Sequence, residues 1–166
     1  QMALIEAINV LRNDHEILVN MVFTGNLKLP YAKKVMKKVD EFGLQDQIKF
    51  LGIVDETTLY SLYKKATGAV IPTLYEAGSF PLMESMLLKI PVICSNVTSL
   101  PETIGNNEFL FDPRSIQQIC NKIRLLWEDE GYRNRSIENS VIQGKKLLSA
   151  DVKSLLKKCY THSLKN

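Results

Sequence analysis

Short runs of β-favouring residues recur along the chain, each separated from the next by a segment whose apolar residues fall at helical spacing. The runs are residues 17–23, 48–51, 69–71, 91–94 and 108–111. Between the first two, Pro30 opens a segment ended by Gly43, with Val35, Met36, Val39 and Phe42 on one face. Between the next two, Asp55 or Thr57 caps a segment carrying Leu59, Leu62, Tyr63 and Ala66, and Gly68 stops it. Strands joined this way cannot pair as tight hairpins. They need crossover helices, which makes the sheet parallel and covers both of its faces. The pattern therefore predicts an α/β fold with a doubly wound parallel sheet.

Further helices are predicted at residues 4–11, 116–127, 132–148 and 152–163, and a helix with Pro81 in its first turn follows the third strand. Ser99, Pro101 and Glu102 have the spacing of a capping box, which predicts a short turn closed by Gly105. A length of 166 residues corresponds to about one domain. With 45% apolar residues the chain can bury a core, and its net charge of +3 lacks the dense basic stripe of a nucleic-acid binder. Cys94, Cys120 and Cys159 match neither a disulfide framework nor a zinc site. No apolar run reaches a membrane span and no signal-peptide order is present, so the expected location is cytoplasmic. The chain enters at Gln1 directly on a helical pattern, as expected of one domain cut from a longer protein.

Ligands of such sheets sit beyond the carboxyl ends of the strands. One loop there is chemically unusual: Pro72 follows the third strand, then come Glu76, Ala77, Gly78, Ser79, Phe80 and Pro81, with Glu84 about one turn into the helix. A helix amino terminus offers unpaired N–H groups and a positive dipole end, which suit a diphosphate. A carboxylate beside it accepts two hydroxyl hydrogens at once, as a ribose cis-diol or a sugar ring presents them.

This string, continued by Ser85 and by Pro91-Val-Ile-Cys-Ser95, resembles the Glu-x7-Glu region of family 4 glycosyltransferases. Phe50-Leu-Gly52, Pro101-Glu102, Gly105 and Phe111-Asp-Pro113 extend the likeness over about residues 18–135. The resemblance implies a Rossmann-like half of a GT-B fold, namely the carboxy-terminal, donor-binding domain of a two-domain enzyme. It implies retaining transfer of a sugar from a nucleotide-diphosphate donor, with no cofactor and no obligatory metal. Glu76 then matches the catalytic glutamate facing the donor sugar, and Glu84 the ribose-binding one. Backbone groups of Gly78, Ser79, Phe80, Pro81 and Leu82 meet sugar and diphosphate, and Ile53 lies where the backbone meets the base. Ala77 and Ser79 stand where the family commonly has glycine. The family's Gly-Arg strand end, its nearby Lys and its acceptor-binding domain have no counterpart in these residues, so transfer by this chain alone is not expected.

Two other classes share such a fold: a non-catalytic nucleotide-binding module, and an epimerase or phosphorylase on the same two-domain plan. The simpler readings are an exposed loop acid for Glu76, a dipole-complementing first-turn acid for Glu84, and a capping acid for Glu102. Cys94, Trp127 and the stripe Ile116, Ile119, Ile123 are expected in the core, and His15 and His162 in solvent. Lys33, Lys34, Lys37 and Lys38 read as a solvated helix face, with peripheral contact to an anionic membrane as the minor alternative.

Overall fold

The computed structural model describes residues 1–149. The predicted helix at 152–163, Cys159 and His162 lie outside the described residues. In chain order the elements are α1 (Met2–His15), β1 (Met21–Thr24), α2 (Pro30–Glu41), β2 (Ile48–Gly52), α3 (Glu56–Lys65), β3 (Ala69–Ile71), α4 (Phe80–Leu87), β4 (Val92–Ser95), α5 (Leu100–Ile104), β5 (Leu110–Phe111), α6 (Ile116–Glu128) and α7 (Glu130–Ser149). A single 3-10 turn, Asn107–Phe109, precedes β5.

Local chemistry sets most of these boundaries. Pro30 occupies the first turn of α2, where its missing N–H costs nothing. The Asp55 carboxylate accepts from the Thr58 amide at 2.7 Å, and the Ser115 hydroxyl accepts from the Gln118 amide at 3.3 Å, each capping its helix. At the end of α1, Glu16 turns left-handed with φ 57°, and the Ile17 amide donates to the Leu11 carbonyl at 2.9 Å. That closure places Ile17 in the helix cap, so β1 begins at Met21 rather than at residue 17. Arg12 reaches from α1 to the carbonyls of Phe42 and Gly43, at 2.6 and 2.7 Å, and ties the first helix to the carboxyl end of α2.

Every strand pairing is parallel, as the spacing of elements requires. β1 pairs with β2, and β4 lies between β3 and β5. Phe23 and Phe50 face each other in register and stack with centroids 5.3 Å apart. All four residues of β4 are buried, which shows that the three-stranded part is covered on both faces. Helices α4, α5 and α7 contact β4, while α1 packs against α6. At the entry to β4, the Ser136 hydroxyl on α7 accepts from the Val92 amide at 2.9 Å and donates to the Val92 carbonyl at 3.2 Å. The core joins Leu4, Ile8 and Leu11 of α1 to Ile93 and Cys94 of β4 and to Ile119 and Ile123 of α6.

The sheet is divided rather than continuous. Met21 and Gly25 donate toward β2, and Ala69 donates to the Pro91 carbonyl toward β4. Because alternate residues of a strand point their N–H and C=O groups to opposite sides, Val22 and Thr24 of β1 and Val70 of β3 direct theirs into the space between the two sheets. A cavity of about 680 Å3 occupies that space and is lined by both strands.

The turn at Ser99 forms as predicted but not by a capping box. Ser99 precedes α5 with helical rather than extended dihedrals, its side chain makes no cap hydrogen bond, and its hydroxyl donates to the Glu76 carbonyl.

Two measurements check this architecture. Native-state hydrogen exchange should find the Val22 and Val70 amides exchanging faster than those of Phe23 and Ile93, since only the former face the open space. Burial pushes the Cys94 thiol up to about 12, from 9.0. A folded-state value above the unfolded one means stability that is complete below about pH 9 and is lost as pH rises toward about 12. Urea denaturation at about pH 8 and about pH 10.5 should therefore show a larger alkaline loss for the wild type than for Cys94→Ala, by up to roughly 1.4 kcal/mol per pH unit.

Candidate functional site

The loop after β3 begins at Pro72, which ends the ladder because it has no N–H to donate. Ser79 then starts α4: its hydroxyl accepts from the Leu82 amide at 3.4 Å, and its carbonyl accepts from the Met83 amide at 3.1 Å. Ser79 is buried, so the helix start is fixed from within the fold. The amides of Gly78, Ser79 and Phe80 have no hydrogen-bond partner among the described residues. They stand at the positive end of α4.

Glu76 and Glu84 line the same cavity between β1 and β3, together with Ser79, Pro81, Tyr63 and Thr73. Each carboxylate is oriented by one hydroxyl. Thr73 donates to Glu76 Oε2 at 2.9 Å, and Tyr63 of α3 donates to Glu84 Oε2 at 3.1 Å. Burial, then the charge and hydrogen bond of Glu84, push the Tyr63 phenol up to about 12, so it stays a donor across the neutral range. Neither glutamate takes part in a salt bridge among the described residues. Each carboxylate thus keeps its other oxygen without a hydrogen-bond partner among the described residues.

The backbone of Glu76 is held separately. Thr98 and Ser99, in the loop after β4, both donate to the Glu76 carbonyl, at 2.6 and 3.3 Å. Thr98 has φ 51°, a left-handed conformation that a β-branched residue adopts at a cost. One turn earlier, Ser95 donates to the Ile71 carbonyl at 3.1 Å. The loops after β3 and β4 are therefore stitched together at the edge where a ligand of a parallel sheet sits.

The site residues expected from sequence fall into two groups. Glu76, Ser79, Pro81 and Glu84 come together around the cavity. Gly78 and Phe80 flank it, with Phe80 74% exposed and open space where a side chain on Gly78 would point. The Leu82 side chain is fully buried and its amide is taken by Ser79, so it offers the site no free donor. Ile53 is 79% exposed beyond β2 and lines neither this cavity nor the adjoining one of about 570 Å3. Sequence reasoning missed Tyr63, Thr73, Thr98 and Ser99 as parts of the site. Tyr63 read as one more residue of an apolar helix face, and Ser99 as a cap.

Among the described residues no group of three or more His, Cys, Asp or Glu lies where it could hold a metal ion, and no helix is long and apolar enough to cross a membrane. The chain is thus a parallel α/β domain in which two carboxylates flank a helix amino terminus at one cavity. The chain belongs to the family described as Glycosyl transferases group 1, whose model matches residues 1–142. It is 36% identical over 98 residues to O-antigen chain mannosyltransferase B of Escherichia coli, covering 59% of this chain and 26% of that protein. The chain thus spans about a quarter of that relative's length. Its fold is that of the C-terminal domain of a glycosyl transferase group 1 protein (LpcC) from Francisella tularensis, with TM-score 0.73 and 28% identity over 87% of this chain and 77% of that one. It also superposes on Anabaena Alr3699/HepE, solved in complex with UDP-glucose, with TM-score 0.74 and 23% identity over 87% of this chain and 40% of that one.

The loop stitching makes its own prediction. Thr98→Val removes the shorter of the two bonds to the Glu76 carbonyl and keeps the strained backbone, so urea denaturation should show a loss of about 0.5–1.5 kcal/mol. Thr98→Gly removes the same bond but relieves the left-handed strain, and should cost less than the valine variant.

Proposed function

We propose that this chain is the donor-binding domain of a retaining, nucleotide-sugar-dependent glycosyltransferase of the Glu-x7-Glu, family 4 type. The observation that carries the reading is that Glu76 and Glu84 line one cavity on either side of the α4 amino terminus. In this reading Glu84 accepts the ribose hydroxyls and Glu76 faces the donor sugar. The amides of Gly78, Ser79 and Phe80 receive the diphosphate, with the α4 dipole behind them. The bond from the anomeric carbon to the diphosphate breaks, and the diphosphate leaves with the electron pair. The acceptor oxygen bonds to that carbon, and its proton passes to the departing phosphate. Amide donors aimed at the developing charge stabilise this step without a covalent nucleophile.

A hexose donor is supported by the mannosyltransferase relative and by the structural neighbour bound to UDP-glucose. The acceptor, a glycan, lipid or polysaccharide precursor, is assigned to a second domain outside these residues.

Thermal denaturation of the protein carrying this chain, with UDP, GDP and ADP and their hexose conjugates, tests the reading. A ligand at 100 times its dissociation constant adds about 2.7 kcal/mol, so one base should give a clear rise in Tm. Glu84→Ala should weaken that binding about tenfold, while Glu76→Ala should leave it nearly intact and lower kcat for transfer about a hundredfold. No rise with any nucleotide, or a rise that survives Glu84→Ala unchanged, sinks the assignment.

A further inference from the structure

Helix α3 is lightly attached to the rest of the fold. None of its residues is fully buried. The Thr58 amide donates to the capping Asp55 carboxylate and the Ser61 hydroxyl to the Thr57 carbonyl, both within the helix or its cap, and among the described residues only the Tyr63 hydroxyl of α3 reaches another element by a side-chain hydrogen bond. The partner it reaches is Glu84 Oε2, at 3.1 Å, across the cavity wall.

A glutamate on the first turns of a helix has three free torsions, and an exposed one samples many rotamers. Here a rigid phenol with only two torsions before its hydroxyl fixes one carboxylate oxygen. The free oxygen, Oε1, and the remaining lone pair on Oε2 are then presented in one orientation. A pair of adjacent hydroxyls can bridge two carboxylate oxygens only if the carboxylate plane is aimed at them. A single hydroxyl can follow a carboxylate that swings.

We propose that Tyr63 is a positioning residue that aims Glu84 at a vicinal diol, and so determines selectivity for ribonucleotides over 2′-deoxyribonucleotides. The inference rests on the reading of Glu84 as the ribose-binding residue. Tyr63 touches no reacting atom in this scheme and acts only through Glu84. The elevated titration of its phenol accords with the role, since a protonated donor is required throughout the working range.

The test is isothermal titration of the protein carrying this chain with UDP and GDP and with 2′-deoxy-UDP and 2′-deoxy-GDP. Wild type, Tyr63→Phe, Glu84→Ala and the double variant are compared. Phenylalanine keeps the ring against the cavity wall, and an unchanged Tm without ligand confirms that the fold is intact. For the base that binds, the wild type should prefer ribonucleotide to deoxyribonucleotide about tenfold. Tyr63→Phe should reduce that ratio to about two- to threefold, chiefly by weakening the ribonucleotide. In the Glu84→Ala background the ratio should be near one, and adding Tyr63→Phe should change nothing further.

If Glu84→Ala abolishes the preference while Tyr63→Phe leaves it at its wild-type value, the positioning role is wrong and the ribose reading stands. A ratio already near one in the wild type, or no nucleotide binding at all, overturns both. An effect of Tyr63→Phe that persists fully in the Glu84→Ala background shows that the phenol acts on its own, and the inference fails.

Discussion

Burial of β4 on all sides is the constraint from which the rest of the structure follows. Val92 to Ser95 lie between β3 and β5 and are covered by helices on both faces, so every backbone polar group there must be paired within the protein. Two parallel neighbours supply most of those bonds. Ser136 supplies them at the strand's entry, and at its exit Ser95 donates across to the end of β3. Because β3 and β4 run in one direction and end together, the loops that follow them emerge side by side. Thr98 and Ser99 can then reach the Glu76 carbonyl, and the candidate site inherits its rigidity from the sheet.

The element order, the parallel sense and the core of this fold are legible in the residues, because periodicity and capping are local properties. Asp55 caps the helix that its position suggests, and Pro30 opens another. Ile17 illustrates where local reading fails. Its apolar run is continuous with β1, yet a left-handed Glu16 captures it for the closure of α1, and nothing in the run itself announces that turn. Ser99 fails for a different reason: its capping-box spacing is real, but its backbone is helical rather than extended and its hydroxyl is turned to the Glu76 carbonyl, 23 residues away. A long-range acceptor has no local signature.

The same distinction divides the candidate site. Glu76, Ser79, Pro81 and Glu84 sit on one loop and one helix, so their convergence follows from a single turn of chain. Tyr63 arrives from α3, 21 residues from its partner, and in sequence its spacing is that of an ordinary half-buried aromatic. Leu82 shows the converse. It occupies a plausible position in the string, but Ser79 takes its amide and packing takes its side chain into the core.

How the two carboxylates are held constrains what can bind between them. Hydroxyls orient both, Thr73 at Glu76 and Tyr63 at Glu84, and no cation neutralises either among the described residues. An anion placed against them would meet two uncompensated charges, whereas neutral polyols can donate to both. In the proposed reading, phosphate oxygens turn away from the glutamates and toward the unpartnered amides of Gly78, Ser79 and Phe80, where the α4 dipole favours negative charge. Carboxylates for hydroxyls and amides for phosphates is the division that the proposed nucleotide-sugar donor would use end to end. A free sugar leaves the amides unused, and a bare phosphate leaves both glutamates without partners.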